Sequence, residues 1–175
     1  MTTNVLIETP RLILRTVTLE DVADVALSWN LDGDPITYQE AENQIMWMHE
    51  NHKQIAPGKI FHLCLAIIDK ATHQFIGWCG LDHRDPAKPC PVLFYLLKER
   101  YWGKGLATEA TGALLDYAFR DLCLSRINSA CAFENTASKR VMEKIGMRYS
   151  GLDEAGGHSF TYTQGEYFQG KKKSL

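Results

Sequence analysis

The chain has 175 residues, of which 45% are hydrophobic, and a formal net charge of −2 at pH 7. This length and composition are typical of one folded domain with a substantial core. The near-neutral charge gives no electrostatic reason to expect nucleic acid or an anionic membrane as a partner. No apolar run approaches the ~18 residues of a membrane span, and the first residues do not resemble a signal peptide, so we expect a cytoplasmic protein.

The cysteine and histidine patterns do not predict a metal centre. The five cysteines are odd in number and form no C-x-x-C pair, which argues against a disulfide framework and a zinc site. His49 and His52 share a predicted helix, but the sequence places no further ligand beside them, so we prefer an amphipathic helix face to a metal site. Reduced thiols are also what we expect in the cytoplasm.

Strands and helices alternate along the chain, as the apolar periodicity and the turn residues indicate. A half-buried strand comes first, and Thr18 with Asp21 then forms a predicted capping box before a helix. The predicted elements are, in chain order, a strand at 11–17, a helix at 18–29, a turn at 32–35, a helix at 40–54, strands at 61–69, 74–81 and 92–97, a helix from 107 to about 120, a strand at 125–133, a helix at 137–145, and strands at 147–152 and 159–168.

Two groups of these segments predict how the sheet is built. Residues 61–81 form an antiparallel hairpin, in which Gly77 and Gly80 indicate a bulge or a close backbone approach. Residues 92–133 form a strand–helix–strand unit, whose strands should be parallel. We therefore predict one α/β domain over residues 1–175, with its core at about 8–168 and a mixed central sheet of about seven strands with about four helices.

The glycine turn between the strand at 92–97 and the following helix predicts an anion site. Gly103 and Gly105 let the backbone approach a ligand closely, and the helix N-terminus offers unpaired N–H groups and the positive end of a dipole. Phosphate is the most natural occupant, and a plain tight turn is the alternative. The turn lacks the G-x-x-x-x-G-K-[ST] loop of many nucleotide-binding proteins, and Thr108 breaks the dinucleotide pattern G-x-G-x-x-G, so another nucleotide-binding scaffold is disfavoured.

Three segments together resemble the GNAT family of acetyl-CoA-dependent N-acetyltransferases. Arg100-x-x-Gly103-x-Gly105 resembles its pyrophosphate loop. Within the family, the closest resemblance is to the branch that includes the ribosomal-protein N-terminal acetyltransferases. The segments that carry it are Glu-Thr-Pro-Arg-Leu-Ile-Leu-Arg at 8–15, Tyr-Trp-Gly-Lys-Gly-Leu-Ala-Thr-Glu-Ala at 101–110, and Asn-x-x-Ser-x-Arg-Val-Met-Glu-Lys-Ile-Gly-Met at 135–147. They come in family order and cover roughly residues 8 to 150.

The resemblance implies a binding groove for acetyl-CoA between splayed parallel strands. Main-chain groups of Leu96 and Leu97 would bind the pantetheine arm and polarise the thioester carbonyl. Asn135 would contact the pantetheine from the other wall, and a helix cap is its alternative role. The main-chain amides expected at the pyrophosphate belong to Trp102, Gly103, Lys104, Gly105, Leu106, Ala107 and Thr108, with the Lys104 ammonium as an added charge.

The resemblance also implies an acid for the departing thiolate. Many GNAT proteins carry a tyrosine in the last helix that protonates the thiolate, but the matching residue here is Met142, which cannot donate a proton. The branch resembled here has a serine at the position of Ser138, which is therefore the predicted donor and a predicted cofactor contact. A helix-start hydroxyl without a catalytic role is the alternative.

The general base is open at this point. An ammonium acceptor must lose a proton before it can attack. Glu154 and His158 in the last loop are our candidates, and Asp82, His83 and a water molecule are the alternatives. Tyr95 could line the cleft, although a strand tyrosine is more often part of the core.

The sequence therefore predicts an enzyme that moves an acetyl group from acetyl-CoA to a primary amine by direct attack in a ternary complex. The acceptor would be a protein N-terminus or a small-molecule amine, and the family motifs place no cysteine as an acyl carrier. A homodimer is compatible with the family, and neither nucleic acid, a membrane nor a metal is expected. The alternative is a catalytically inactive CoA-binding sensor or interaction module.

Overall fold

A computed structural model describes residues 4–28, 34–85 and 87–172. The end of the first predicted helix at residue 29 and part of the predicted turn, at residues 32 and 33, lie outside the described residues. The elements are β1 (Leu6–Glu8), β2 (Leu12–Thr16), a 3-10 turn (Leu19–Asp21), α1 (Val22–Ser28), α2 (Tyr38–His52), β3 (His62–Asp69), β4 (Phe75–Asp82), β5 (Val92–Leu97), a 3-10 turn (Glu99–Tyr101), α3 (Leu106–Arg120), β6 (Arg126–Cys131), α4 (Thr136–Lys144), β7 (Arg148–Leu152), β8 (His158–Thr163) and α5 (Gln164–Lys172).

One mixed sheet holds all the described strands, in the order β1-β2-β3-β4-β5-β6-β8-β7. Its only parallel pair among the described strands is β5 with β6, and the other neighbours run antiparallel. This confirms the predicted α/β class, the hairpin and the parallel unit. Over the described residues the sheet has eight strands and five α-helices accompany it, one more of each than the approximate counts that the sequence predicts.

The two elements missing from the prediction have different causes. β1 has only three residues, too few for a periodic pattern. The predicted strand at 159–168 is wrong in its second half, because the chain leaves β8 and begins α5. A capping box causes the change: the Glu166 carboxylate accepts from Thr163 N–H and its hydroxyl, and Glu166 N–H donates to Thr163 Oγ1.

Two further capping boxes shape the helices on the other side of the sheet. The predicted pair Thr18 and Asp21 forms one, which leads through a 3-10 turn into α1. Thr37 and Glu40 form the second, so α2 begins two residues earlier than predicted. Both boxes satisfy amides that would otherwise lack partners at a helix start.

The sheet separates two apolar layers. α3 packs on one face, called here the α3 face, with buried residues that include Leu93, Leu114 and Phe119. α1 and α2 cover the other face, called the α2 face, where Val25, Ile45 and Trp78 are buried. Across the parts of the chain that the structure describes, no helix is long and apolar enough to cross a membrane.

The predicted close approach at the β4 glycines is confirmed. A Cβ on Gly77 would lie 2.0 Å from Leu96 O, and one on Gly80 would lie 2.0 Å from Leu63 O and 2.4 Å from the Phe94 ring. A register shift between Ile67 and Ile68 marks the accompanying bulge. The ring of Phe94 therefore lies across β4 at Gly80.

The parallel strands part soon after they meet. Their register consists of one described pair, Val92 with Asn128. Asn128 N–H donates to Pro91 O at 2.9 Å, and Ser129 Oγ donates to Leu93 O at 3.0 Å. Beyond Leu93 the two strands diverge, which leaves a gap between the end of β5 and β6. The predicted splay is confirmed.

Candidate active site

The loop after β5 is shaped as an anion site. Gly103 and Gly105 have φ of +72° and +76°, a left-handed conformation that disfavours other residues. A Cβ on Gly103 would meet nothing within 4 Å, and one on Gly105 only Arg11 Nη2 at 3.6 Å, so the space above the loop is open. Gly105 caps α3 without a side chain, and the first amides of the helix face this space without intrahelical partners. Phosphate fits here.

A clamp joins this loop to the start of the chain. Glu109, in the first turn of α3, accepts from Thr9 Oγ1 at 2.6 Å, from Arg11 N at 2.9 Å and from Arg11 Nε at 2.6 Å. Arg11 Nη1 also donates to Lys104 O at 2.9 Å. Burial raises the pKa of Glu109, but the hydrogen bonds from Thr9 and Arg11 outweigh it, so the pKa lies below its ordinary value. The two sequence motifs at 8–15 and 101–110 therefore meet in space, a contact that the sequence did not predict.

Two residues of the loop, Trp102 and Lys104, donate hydrogen bonds to main-chain carbonyls close to them in the chain. Trp102 N–H donates to Glu99 O at 2.9 Å, and its indole Nε1 donates to Leu97 O at 2.7 Å. Lys104 Nζ donates to Arg100 O at 2.8 Å and lies 5.4 Å from the centre of the Tyr101 ring. The structure thus places Trp102 and Lys104 at the predicted loop, with these groups turned to neighbouring protein atoms.

The backbone of β5 alternates between β4 and the gap. Lys98 N–H donates to Ile76 O at 2.9 Å, and Leu96 lies two residues earlier, opposite Trp78. In an antiparallel pair, hydrogen-bonded positions recur every second residue, so the main-chain groups of Leu96 point to β4. Those of Tyr95 and Leu97 point to the gap. Of the two residues predicted to contact the pantetheine through the main chain, Leu97 faces the gap and Leu96 faces β4.

A pair of hydroxyl groups bridges the gap on the α3 face. Tyr95 Oη, from β5, lies 2.9 Å from Ser138 Oγ, in the first turn of α4. Burial raises the pKa of Tyr95, with the Ser138 hydrogen bond opposing, so the phenol is protonated at neutral pH. Asn135 caps α4, since its Oδ1 accepts from Ser138 N at 3.0 Å. Met142 is buried in the core at 1% exposure.

The two predicted base candidates lie in the turn between β7 and β8 and at the first residue of β8. Glu154 is exposed in the turn between β7 and β8. His158 is 7% exposed and its ring stacks on Phe133 with 5.0 Å between centroids. Its Nδ1 lies 3.4 Å from Tyr149 Oη. His158 is two residues from the core residue Phe160 on the same strand, so both side chains lie on the α3 face.

A cavity of about 390 Å³ opens on the other side of the sheet, the α2 face. Asp82, an alternative base candidate, lies there with its Oδ1 3.4 Å from Nδ1 of His62 and 2.7 Å from Nε of Arg84. His62 did not emerge from the sequence, although it faces Asp82 across the predicted hairpin. The wall of the cavity includes His62, Cys64, Trp78, Asp82, Val92 and Phe94.

The two helix histidines bind separate main-chain groups. His49 Nε2 lies 2.6 Å from Val17 O, and His52 Nε2 accepts from Cys64 N–H at 3.3 Å. Within residues 4–28, 34–85 and 87–172, no group of three or more His, Cys, Asp or Glu side chains could hold a metal ion.

Known proteins share both the sequence pattern and the fold. The sequence profile of the acetyltransferase (GNAT) domain family matches residues 11–148. The uncharacterised N-acetyltransferase p20 of Bacillus licheniformis is 31% identical over 153 residues, which are 82% of this chain and 83% of p20. A solved acetyltransferase from Agrobacterium tumefaciens has a TM-score of 0.71 and 28% identity over 90% of this chain and 94% of that one. RimL, a ribosomal L7/L12 α-N-protein acetyltransferase solved with coenzyme A, has a TM-score of 0.75 and 16% identity over 91% of this chain and 98% of RimL.

Proposed function

The chain belongs to the GNAT acetyltransferase family, and on that basis we propose that it transfers the acetyl group of acetyl-CoA to a primary amine. The acceptor attacks directly in a ternary complex, and it is a small-molecule amine or a protein N-terminus. One observation carries this proposal: an open anion loop at Gly103 and Gly105 continues into a gap between parallel strands that a pair of hydroxyl groups bridges.

The groove offers acetyl-CoA a set of fitting contacts. Its pyrophosphate would bind the amides from Gly103 to Thr108, where the α3 dipole adds attraction. Its pantetheine would lie along the gap and bind the main-chain groups of Tyr95 and Leu97 on one wall and Asn135 on the other. The bound cofactor supplies a thioester, whose carbonyl carbon accepts the amine.

Ser138 is the proposed acid for the departing sulfur. Its hydroxyl donates a proton to the thiolate, the Tyr95 phenol, 2.9 Å away, returns a proton to Ser138, and water then reprotonates Tyr95. A tyrosine thus takes part from β5, although α4 carries Met142 where many relatives have one. Because sulfur departs more readily as a thiol than as a thiolate, the pair lowers the barrier to C–S cleavage.

One experiment distinguishes the proposed transfer from the alternative, an inactive CoA-binding module. Thiol release from acetyl-CoA would be followed over a panel of primary amines and short peptides with free N-termini, and CoA binding would be measured by calorimetry. We expect CoA binding and amine-dependent thiol release with at least one class of acceptor. CoA binding without thiol release for every acceptor would favour the module.

A further inference from the structure

One row of residues crosses four strands at the point where the sheet opens. His62 on β3 opposes Asp82 on β4, Asp82 opposes Val92 on β5, and Val92 opposes Asn128 on β6. Residues directly opposite each other project to the same face. Val92 and Asn128 are also the one described pair at which β5 and β6 meet. The row therefore places His62 and Asp82 on the α2 face, in line with the pair beyond which the gap opens.

The hydrogen bond to Asp82 determines which nitrogen of His62 can accept a proton. Burial raises the pKa of Asp82, but hydrogen bonds from Arg84 outweigh it, so this carboxyl is ionised at neutral pH. An ionised carboxylate only accepts hydrogen bonds, so Nδ1 of His62, 3.4 Å from Asp82 Oδ1, carries the proton. Nε2 then has the free lone pair, as in other oriented histidine bases.

Nε2 of His62 is a buried acceptor that the described residues leave without a hydrogen bond. Asn128 Oδ1, in the same row, is a second. Buried polar atoms nearly always have partners, and His62 lines the cavity, so its free acceptor fits a ligand that donates hydrogen bonds. A primary amine or ammonium is such a ligand.

The rest of the cavity is apolar near His62. The His62 ring lies between Trp47, at 4.8 Å, and Phe94, at 5.8 Å and nearly parallel. Phe94 forms the floor because Gly80 leaves room for its ring. Arg84, which lies 5.5 Å above Trp47, forms part of the charged rim. The shape and polarity fit an amine on a planar or apolar body, with the nitrogen directed to His62.

We propose that this cavity takes the acceptor and that His62, oriented by Asp82, is the general base for the proposed transfer, on which this inference rests. Nε2 takes one proton from the ammonium, which leaves a neutral amine and an imidazolium. The amine lone pair forms the N–C bond as the C–S bond breaks, the nitrogen releases its second proton to water, and the departing sulfur gains one proton through Ser138. The imidazolium then returns its proton to solvent.

The charges around His62 set the pH range of this base. Burial lowers the pKa of His62, and the attraction of Asp82 opposes burial but does not outweigh it, while Arg84 lowers the pKa further. His52, on α2, has its pKa lowered to about 4 by burial and by the charges of His62 and His49, and Cys64, Asp85 and Lys88 also line the cavity. His62 is therefore neutral at pH 7 and can accept a proton. The pKa of about 4 keeps His52 neutral at that pH as well.

The test compares His62→Gln with the wild type, using phenethylamine and tryptamine as probe acceptors across pH 5 to 10. We expect kcat/KM of the variant to fall by about 100-fold or more at pH 7, with the CoA dissociation constant unchanged. The loss of kcat/KM in His62→Gln should shrink as the pH approaches the pKa of the amine, since the free amine then needs no base.

Asp82→Asn should move the acidic limb of the pH profile of kcat/KM to lower pH than in the wild type, because it removes the charge that raises the His62 pKa.

A second readout does not depend on turnover. Nitrogen-15 NMR of the imidazole rings should show His62 protonated on Nδ1 alone at pH 7, with Nε2 shifting when phenethylamine is added. His73→Asn, in an exposed turn with φ of +56°, is the matched control and should leave kinetics and CoA binding at wild-type values.

Three outcomes would overturn the inference. A His62→Gln enzyme with an unchanged pH profile would remove the base role while the proposed transfer stood. A proton on Nε2 would contradict the orientation by Asp82. A wild-type protein that binds CoA but releases no thiol with any amine would overturn the transfer itself, and the base role with it.

Discussion

In the proposed transfer, Tyr95 and Ser138 divide the task of supplying a proton. An aliphatic hydroxyl is a weak acid, so Ser138 needs a neighbour that replaces its proton as it is lost. Tyr95 is that neighbour at 2.9 Å, and its raised pKa keeps the phenol protonated over the neutral range. The pair acts as one unit, and removing either hydroxyl should interrupt the same step.

Substitutions at the pair should therefore give equal and non-additive losses. Ser138→Ala and Tyr95→Phe are each expected to lower kcat by about 10- to 100-fold, and the double variant by about as much as the worse single one. The CoA dissociation constant should stay within about twofold, because neither hydroxyl binds the phosphates. Steady-state kinetics and calorimetry on the four proteins complete the cycle.

Tyr117→Phe supplies the control for this cycle, since Tyr117 is a half-buried tyrosine of α3 outside the gap. It should retain wild-type turnover. Additive losses, or full activity of Tyr95→Phe, would show that Ser138 works without the phenol.

Sequence patterns assigned a role to one member of this pair and left the other between cleft and core, for a physical reason. Ser138 belongs to a short helical motif, and local spacing defines its place on the helix. Strand alternation assigns Tyr95 only to a face, and its contact with Ser138 depends on how far β5 and β6 diverge. His62 was missed in the same way, because its partner Asp82 is 20 residues away on the next strand.

The start of α3 couples backbone conformation to binding. Gly105 has φ of +76° and open space above it, so a side chain there would strain the backbone and also enter the proposed pyrophosphate site. These two effects can be separated, because Gly58 has φ of +73° and equally open surroundings in a turn before β3.

Gly105→Glu is expected to weaken CoA binding by more than about 100-fold, since its carboxylate adds negative charge where the phosphates would lie. Gly58→Glu should leave the CoA dissociation constant unchanged. Both variants should lose about 1–2 kcal/mol of unfolding free energy from the left-handed backbone. Calorimetry with CoA and chemical denaturation measure the two quantities, and equal CoA binding by Gly105→Glu would place the phosphates elsewhere.

Boundaries between elements were harder to predict than the elements themselves. The change from β8 to α5 comes after the aromatic and β-branched run at 160–163, and Tyr167 and Phe168 extend a strand-like composition beyond it. The capping box of Thr163 and Glu166 decides where the helix begins. The Glu166 carboxylate accepts hydrogen bonds from the amide and from the hydroxyl of Thr163. A short local signal outweighed the longer propensity pattern, as it also did at the start of α2.

Buried histidines give the whole molecule a pH-dependent stability. His52 has a folded-state pKa of about 4, against about 6.5 in an unfolded chain. Between these values the unfolded chain binds a proton that the folded protein does not, so the unfolding free energy should fall as the pH drops from 6.5 to 4. The loss from His52 alone is about 3 kcal/mol, and His62 adds to it in the same direction.

Urea denaturation at intervals from pH 7.5 to 4 measures this dependence. His52→Gln is the informative variant, because its amide oxygen can accept from Cys64 N–H as His52 Nε2 does. It should show a shallower decline than the wild type over that range. Parallel declines in the two proteins would mean that other groups control the acid limb.

The architecture followed from local patterns only in part. The hairpin and the parallel unit predicted a mixed sheet, since each depends on neighbouring segments, whereas the splay was implied by the resemblance to the GNAT family. The order β6-β8-β7 and the row from His62 to Asn128 depend on register between strands far apart in the chain. No local residue pattern encodes that register, so the α2 side of the site was beyond prediction.

The clamp of Thr9, Arg11 and Glu109 joins the first hairpin of the chain to the proposed CoA loop. Any ligand that orders the loop must then also favour the docked hairpin over a frayed one. Thermodynamic reciprocity requires the converse, so fraying of the N-terminal edge lowers affinity at the loop by the same factor. A tag, a truncation or a partner that pulls on the first strand would thus regulate cofactor binding from outside the groove.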